Sequence, residues 1–329
     1  MPHTHGVPAS RLSLPVATVL CFLALAAVPA QPTVAWSAEQ PIAFSLDRSD
    51  VTAGAKVTGV VSVVAESEER VVRIERAMPE GWVHVGSAVL PAGATEVLVP
   101  VPTGYYSSYS YRVSTTSEQA LVTSSEQTLD VGPAFVPAGP PGDWAAWAVE
   151  QRWDPCVGPI RYVVNAGQAW PRALAETREA LRRITRATGL RFLAVGSTRV
   201  VPKGRQIQRL PNGADLVIAW LRRGQTPLLS GGHLGRTSSF HDGEGRTTHA
   251  QVAIRRNADR YLKPGFGAAP RRGSLLMHEL THVVGLDHAR SSSQIMYPDV
   301  SAVASQFGSG DLRGLAHVGA QRGCVFTAA

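Results

Sequence analysis

The 329-residue sequence is poor in cysteine and in aromatic residues, and it lacks long apolar runs beyond residue 30. Three cysteines are too few for a small disulfide-rich scaffold. The aromatic fraction is 7%, and the basic residues are scattered rather than interleaved with aromatics, so we expect no nucleic-acid partner. No internal repeat is visible. The 44% of hydrophobic and 17% of charged residues are ordinary for a globular chain long enough for two domains.

The first thirty residues have the features of a cleaved secretion signal. Arg11 and the amino terminus are positive, residues 12–28 are apolar, and residues 28–30 end the run with a small residue. The run is short and contains Pro15, which disfavours a membrane anchor. We therefore expect a signal peptide at 1–30 and a mature protein that is secreted, monomeric and not inserted in a membrane.

Cysteine usage is compatible with export. Cys21 lies inside the predicted signal, which leaves Cys156 and Cys324 in the mature chain. In an oxidising compartment these two could form one disulfide, for which chain-entropy estimates give about 4–5 kcal/mol. Two buried thiols are the alternative, and the sequence leaves both open.

Charge is distributed unevenly along the chain. Residues 40–132 contain six Lys or Arg and eleven Asp or Glu, a net charge of −5, whereas residues 133–329 contain 25 and 13, a net charge of +12. A basic half could attract acidic partners, polyanions or membrane surfaces through its field. Because the basic residues are scattered and Arg outnumbers Lys all along the chain, a compositional bias is the favoured explanation.

Residues 40–132 alternate between apolar and polar positions in short runs that are bounded by Gly, Pro or Ser. Evenly spaced short strands without a helical segment predict an all-β sandwich. The predicted strands are 56–64, 70–76, 82–85, 96–101 and 109–114. Through the strands around Trp82 and 109–113, the segment resembles bacterial immunoglobulin-like or fibronectin-like modules.

The pattern changes after residue 132. Residues 133–143 are rich in Pro and Gly, which predicts a stiff, extended linker at a domain boundary. Residues 144–329 show mixed α and β patterns. We predict strands at 161–165, 190–195, 215–221 and 251–255, with room for a short strand in the Gly-rich stretch before the last, and helices at 171–188 and 273–284. The first helix should present Leu174, Leu181 and Ile184 on one side.

Four polar residues interrupt an apolar run in LLMHELTHVVGLDHAR, residues 275–290. On a helix His278 and His282 lie one turn apart on one face, so both imidazoles can reach one cation, and Glu279 projects beside them. In this H-E-x-x-H arrangement the histidines bind zinc, and the glutamate, which is not a ligand, accepts a proton from water. The neighbouring leucines and valines are expected to bury the rest of the helix.

A third ligand is expected shortly after the helix. Gly285 follows His282 by three residues and can adopt the positive φ that turns the chain back. His288 follows three residues later and can then approach the same metal from another side. The sequence therefore predicts one catalytic Zn²⁺ site with Glu279 as general base.

The pattern from His278 to His288 resembles the metzincin clan of zinc endopeptidases. Eight residues further on, Met296 matches the methionine of the turn that this family places beneath the zinc (the Met-turn). Gly-Leu-Asp-His, Met-Tyr-Pro and the helix start at 309–315 are most similar to matrixins, in a bacterial secreted form. The resemblance covers about residues 150–325. It implies a multidomain fold class: the N-terminal all-β sandwich at 40–132, then a zinc metallopeptidase domain at 144–329 of the α+β metzincin type, with a twisted, mainly parallel sheet, an active-site helix and a Met-turn.

Several positions depart from related families. Asp287 is an alternative third ligand, since snapalysin-type metzincins use aspartate, but it stands two residues after Gly285 and not three, which favours His288. Asp287 could instead orient an imidazole. Pro298 stands where astacins and serralysins place a tyrosine ligand. No cysteine lies between residues 22 and 155, so the cysteine-based latency of matrixins is excluded.

Matrixins also carry a structural zinc and calcium ions. His233, His241 and His249 lie in the corresponding region, with Asp242 and Glu244 nearby. The His-x-Asp that begins the family's second site is missing, so a complete site is not supported. A Ca²⁺ or a second Zn²⁺ is therefore only an alternative.

The resemblance implies a secreted zinc-dependent endopeptidase that acts on protein or peptide substrates. The substrate would lie as an extended strand along the edge at 235–240, and the expected cleft residues are Gly235, Phe240, Tyr297 and Pro298. One alternative is a secreted adhesion or binding protein with a structural zinc, although such a site needs no glutamate at 279. Another makes the sandwich an inhibitory or chaperoning prodomain, released by cleavage near 132–143.

Overall fold

The computed structural model describes residues 41–147, 150–268, 270–299 and 304–325. The predicted signal peptide at 1–30 lies outside these ranges. Residues Gln40–Ala329 form one compact unit, which is mostly β with three helices in its described part. None of the helices in the described ranges is long and apolar enough to cross a membrane.

Residues Ile42–Gly132 form two sheets around a common core. One sheet has the order β1-β3-β6, and the other the order β2-β9-β7-β4-β5, with β8 paired to β7. The strands are β1 (Ile42–Leu46), β2 (Asp50–Thr52), β3 (Val57–Val63), β4 (Arg70–Met78), β5 (Gly81–Leu90), β6 (Glu96–Val101), β7 (Ser107–Ser117), β8 (Ala120–Thr123) and β9 (Gln127–Gly132). Each of the five predicted strands overlaps one of these.

The two sheets are held together by the inward half of each alternating strand. In β4, Val72 and Ile74 are fully buried, whereas Val71 between Arg70 and Val72 is exposed. Strands of both sheets contribute to the same hydrophobic cluster, from Phe44 in β1 to Leu129 in β9. One buried face and one solvated face are typical of antiparallel sheets.

The C-terminal half is organised around a five-stranded sheet with the order β12-β11-β13-β15-β14. Neighbouring strands are parallel except β14, an edge strand that runs antiparallel to β15. A short ribbon pairs β10 with β16. The strands are β10 (Ala145–Ala146), β11 (Ile160–Asn165), β12 (Phe192–Ser197), β13 (Leu216–Leu221), β14 (Gly235–His241), β15 (Thr247–Arg255) and β16 (Leu286–Asp287), and the helices are α1 (Ala173–Thr188), α2 (Arg272–Val283) and α3 (Ser309–Val318).

Both faces of this sheet are covered, which explains why all six residues of β13 are buried. Leu216, Ile218 and Trp220 belong to the main core with α1, α2 and α3, whereas Val217 and Ala219 belong to two smaller clusters on the other face. The three helices therefore lie on one face of the sheet. One of them is α2, which carries the polar residues His278, Glu279 and His282.

Helix α1 differs from its prediction at one position. Leu181 and Ile184 are buried as expected, but Leu174 is 42% exposed. Leu174 and Leu181 are seven residues apart and share a helix face. The first turn is buried through Ala173 and Thr177 instead, so Leu174 lies at the border of the buried face. At the other end Gly189, with φ of 72°, closes α1 through its N–H to the Thr185 carbonyl.

The segment at 133–143, which its composition predicts to be a stiff, extended linker, is hydrogen-bonded to the C-terminal half. The Ala138 carbonyl accepts the N–H of Ser309 at 2.8 Å, and the Pro137 carbonyl accepts the Ser309 hydroxyl at 3.1 Å. The carboxylate of Asp143 accepts the N–H groups of Arg290 and Ser291, both at 2.9 Å. Hydrogen bonds thus dock the segment on the C-terminal half, a contact that composition cannot reveal.

The C-terminal end is anchored from two sides. A disulfide joins Cys156 and Cys324, whose Cα atoms are 5.4 Å apart. The carboxylate of Glu80, in the turn between β4 and β5, accepts the N–H of Cys324. Nearby, the Gln321 amide donates to the Tyr109 hydroxyl at 3.1 Å. The sandwich therefore contacts the segment that the disulfide fixes.

Candidate metal centre and cleft

Helix α2 carries three of the predicted site residues, His278, Glu279 and His282. All twelve of its residues are buried, since its apolar side chains join the main core and the other side lies under β14. A helix that is covered all round needs a reason for buried imidazole and carboxyl groups, because uncompensated burial of such groups is costly.

Gly285 ends this helical segment at the point where the chain reverses. Its φ is 118°, a conformation that disfavours any residue with a Cβ. A Cβ added there would lie 2.5 Å from the Gln151 carbonyl oxygen, so no side chain fits. The chain then enters β16, where Leu286 and Asp287 pair with β10, and continues into His288.

The three predicted histidine ligands meet at one point. One ligand nitrogen from each of His278, His282 and His288 lies within 4.8 Å of the other two. The ring centroids are 4.7 to 5.2 Å apart, and the Nε2 atoms of His278 and His282 are 3.2 Å apart. This group could bind a metal ion.

The hydrogen bonds of the first two imidazoles leave their inner nitrogens free for a metal ion. Nδ1 of His278 lies 2.8 Å from the Ile295 carbonyl, and Nδ1 of His282 lies 2.7 Å from the Leu286 carbonyl. A carbonyl only accepts, so each Nδ1 carries the proton, and each Nε2 presents a lone pair. Two lone pairs that face each other at 3.2 Å repel unless a cation lies between them. A tetrahedral zinc with Zn–N bonds of about 2.0–2.1 Å separates its nitrogen ligands by about 3.3 Å, which matches.

Burial keeps these imidazoles neutral at physiological pH. It lowers the pKa of His278 to about 4, although the bond to the Ile295 carbonyl opposes the shift. It also lowers the pKa of His282 well below its ordinary value, with a further contribution from His278. The pKa of His288 is lowered by burial, against an opposing effect of Asp287. Neutral imidazole is the form that binds metal.

Glu279 lies beside the three histidines with its carboxylate almost fully buried. The Thr237 hydroxyl lies 2.8 Å from Glu279 Oε2 and 2.9 Å from the Glu279 carbonyl oxygen. Burial raises the pKa of Glu279 to about 7, with smaller lowering effects from Thr237 and Arg236. A carboxyl group with a pKa near neutrality can accept and return a proton under physiological conditions.

The turn that contains Met296 contacts the histidine group through the backbone of Ile295. Met296 is 1% exposed, its carbonyl accepts the N–H of Ala289 at 2.9 Å, and the neighbouring Ile295 carbonyl orients His278. Asp311 of α3 accepts the N–H groups of Ile295 and Met296 at 2.6 and 3.1 Å. Helix α3 thereby fixes the turn that orients the first ligand.

The three histidines and Glu279 open into a cleft of about 1060 Å³. Its walls are α2, β14 with the residues before it, and the chain after Met296. Gly235 and Pro298 line it, as expected. Phe240 and Tyr297 do not. Phe240 is five residues along β14 from Gly235, about 17 Å away, and the Tyr297 N–H closes the turn on the Gln294 carbonyl.

Several neighbours of the site carry no sequence signal. Thr237 is one; another is Trp147, whose indole N–H donates to the His282 carbonyl. The carbonyl groups of Leu286 and Ile295 belong to the backbone, which every residue has. Their distance along the sequence from the histidines is the only sign of their role. It can be interpreted only when the course of the chain after Gly285 is known.

The structure does not bring the other histidines together as a second metal site. Within the described ranges, the only further cluster of potential ligands combines Glu80 with the two disulfide-bonded cysteines. His233 lies near Arg236, with 3.3 Å between Nε2 and the guanidinium, and His241 Nδ1 faces the Asp242 carbonyl. His249 is on β15, opposite Phe240. Among the described residues these three histidines form no group of potential ligands, and a Ca²⁺ or a second Zn²⁺ stays an untested alternative.

No family model and no curated protein match this chain. Similarities to solved structures are low. A superoxide reductase (neelaredoxin) from Ignicoccus hospitalis is 14% identical over 28% of this chain and 82% of its own, with a TM-score of 0.24. A β-glucuronidase from Ruminococcus gnavus bound to D-glucaro 1,5-lactone is 10% identical over 44% and 24%, with a TM-score of 0.18. Cwp6 from Clostridium difficile is 10% identical over 54% and 33%, with a TM-score of 0.19. TM-scores this low do not establish a shared fold.

Proposed function

We propose that the protein is a zinc-dependent endopeptidase of the metzincin type, most similar to matrixins, and that it acts after secretion. The observation that carries the proposal is the combination of three convergent neutral imidazoles with a buried carboxyl group beside them. Zinc is the metal that fits best, because three imidazole ligands with one open position are typical of catalytic zinc, and the nitrogens of His278 and His282 are at tetrahedral spacing.

The chemistry divides between the ion and the chain. Zinc held by His278, His282 and His288 would supply Lewis acidity that polarises a peptide carbonyl and lowers the pKa of water. Glu279 accepts a proton from the attacking water and then donates it to the nitrogen of the leaving amine. Burial raises the pKa of Glu279, which helps the group to hold the proton between the two steps.

Strand β14 is the candidate platform for the substrate backbone. It is an edge strand, and the Leu234 carbonyl just before it accepts the Arg255 N–H at 2.7 Å. From this register, residues 236, 238 and 240 bond to β15, and Gly235, Thr237 and Ser239 direct their backbone groups to the open edge. An extended peptide could therefore add to β14 beside Glu279.

The features of Glu279 argue against a purely structural zinc. A structural site fills all four positions and needs no carboxyl group that is buried but unligated. Burial of Glu279 without a function would cost stability, since its pKa is raised by desolvation. A secreted binding protein with a structural zinc explains the histidines but not this residue.

The position of the sandwich favours an accessory module over an inhibitory prodomain. Every residue that lines the cleft belongs to the chain from Trp147 onward, within the ranges the structure describes. The sandwich instead contacts the C-terminal end through Glu80 and Tyr109. Removal of the sandwich is therefore not needed to open the cleft.

Digestion of a peptide library by the mature chain, analysed by mass spectrometry with and without chelator, tests the proposal. We expect internal cleavages that chelation abolishes and zinc restores. Glu279→Gln should keep the metal and lose about 10²–10⁴-fold in kcat, the usual contribution of a general base. Lack of any chelator-sensitive cleavage, or full activity of zinc-loaded Glu279→Gln, would contradict the proposal.

A further inference from the structure

Strand β14 approaches Glu279 more closely than any side chain would permit at one position. A Cβ added to Gly235 would lie 2.6 Å from both Cγ and Oε1 of Glu279 and 2.8 Å from Cδ. Gly235 is buried, and its φ does not lie in the left-handed region. The glycine is therefore needed for space and not for backbone conformation.

The other carboxylate oxygen has a hydrogen-bond partner on the same strand. Thr237 Oγ1 lies 2.8 Å from Oε2 of Glu279 and 2.9 Å from its carbonyl oxygen. Residues 235 and 237 are two apart, so both face α2. One face of β14 thus leaves room for Oε1 at Gly235 and holds Oε2 by a hydrogen bond at Thr237.

We propose that Gly235 and Thr237 are positioning residues that fix the orientation of the Glu279 carboxylate for proton transfer. The inference rests on the proposed function and extends it, because the same strand is the platform for the substrate backbone. The strand then sets the distance between the base and the scissile bond. A displacement of about 1 Å at such a group can cost about 10²-fold in rate.

The threonine hydroxyl can serve Glu279 at both stages of the proton transfer. It has one proton and two lone pairs, so it donates to one oxygen at a time. While Glu279 is a carboxylate, the hydroxyl donates to Oε2. Once Glu279 holds the proton taken from water, the hydroxyl can donate to the backbone carbonyl and accept from the carboxyl group. The contact persists until the proton passes to the leaving amine.

Substitutions at the two positions separate the contribution of Gly235 from that of Thr237. Gly235→Ala adds one methyl group that pushes the flexible end of Glu279 away and leaves the backbone conformation allowed. Thr237→Val keeps the shape of the side chain and removes the hydroxyl, and Thr237→Ser restores the hydroxyl. Matched controls come from the same hairpin. Gly243→Ala adds a methyl group in open space, and Thr247→Val removes a buried hydroxyl that has no hydrogen-bond partner.

Steady-state kinetics on a peptide that the native chain cleaves should show kcat lower by about 10–100-fold for Gly235→Ala and Thr237→Val, with KM changed less than about threefold. Thr237→Ser should recover most of kcat, and both controls should match the native chain. Zinc affinity, measured by chelator competition, should stay within about threefold, because both residues contact Glu279, which is not a ligand, and neither orients a ligand imidazole.

Crystal structures of the zinc-loaded variants give a readout that does not depend on activity. We expect the Glu279 carboxylate to be displaced in Gly235→Ala and to lose its fixed orientation in Thr237→Val, with the three imidazoles in place. Unchanged kcat, an unmoved carboxylate, or a loss of kcat that merely follows a loss of zinc would overturn the inference. If the native chain cleaves no peptide, the proposed function fails, and the carboxylate positions still decide this inference. If Thr237→Val does not fold, Gly235→Ala and Thr237→Ser decide it.

Discussion

The indole N–H of Trp147 donates to the carbonyl oxygen of His282 over 3.3 Å, and the two rings lie 5.1 Å apart. Trp147 follows β10, the short strand that pairs with the chain just before His288. One aromatic residue therefore contacts the second ligand from the segment that also shapes the approach of the third.

Replacement of Trp147 should weaken metal binding without removing a ligand. We expect Trp147→Ala to raise the zinc dissociation constant about tenfold, because neighbours that orient a ligand typically contribute this much or more. Trp147→Phe keeps a ring against His282 and should lose less than about threefold. Chelator competition measures both, and Trp82→Ala in the sandwich is the control. Equal affinities of Trp147→Ala and the native chain would show that the contact does not support the ligand.

The identity of the third ligand can be decided by two adjacent substitutions. His288 is in the histidine group, whereas Asp287 Oδ1 accepts the His288 N–H at 2.8 Å and lies 3.5 Å from its Nδ1. His288→Ala should weaken zinc binding by at least about 100-fold, above what changes around a ligand typically cause, and Asp287→Ala by no more than about tenfold. His249→Ala is the control for the loss of a histidine outside the group of three. A larger loss of zinc affinity in Asp287→Ala than in His288→Ala would identify Asp287 as the ligand.

The group of three histidines is the part of the molecule that the sequence predicts in most detail, for a geometric reason. Residues four apart on a helix must share a face, so His278 and His282 converge whatever surrounds them. Gly285 marks a turn that few other residues can form. These are local constraints, and local constraints can be read from spacing.

Contacts between distant segments carry no such constraint. Thr237 meets Glu279 from 42 residues away, and this depends on the register of β14 against β15 and on the packing of α2. A register shift of one residue would turn Thr237 away from the helix. The docked segment at 133–143 is a similar case, since its Pro and Gly content predicts a linker but not the partner that it contacts. Leu174 shows the same limit, because periodicity predicts a helix face but not which residues at its border are covered.

Asp143 should contribute to both stability and metal affinity through the chain that follows His288. Its two oxygens accept the N–H groups of Arg290 and Ser291. Asp143→Ala leaves both without this partner, at a cost of about 1–3 kcal/mol in the free energy of unfolding. The freed chain should also bind zinc about tenfold more weakly.

Thermal unfolding with and without zinc tests the role of Asp143. Asp215 is a matched control, because its carboxylate accepts one backbone N–H, that of Arg161, away from the cleft. Asp215→Ala should lower stability but leave the stabilisation by zinc unchanged. If zinc stabilises the two variants equally, then Asp143 supports the fold in general and not the chain after His288 in particular.

Zinc binding by the metal-free protein should release a proton from Glu279 at mildly acidic pH. Its pKa is raised by burial to about 7, so at pH 6 about nine-tenths of the molecules hold the proton. A dication beside the carboxyl group favours the charged form and lowers that pKa. His278, with a pKa lowered to about 4, is already neutral at pH 6 and has almost no proton to release.

Calorimetry of zinc binding at pH 6, in buffers of different ionisation enthalpy, counts the released protons. We expect the native chain to release close to one proton more than Glu279→Gln, whose amide has no proton to lose. His288 contributes equally to both proteins, so the difference isolates Glu279. The difference should shrink as the pH rises above 7, because the raised pKa means that the carboxyl group is then ionised before the metal binds. An equal proton count for the two proteins at pH 6 would contradict the prediction, because it would mean that Glu279 does not change its charge when the metal binds.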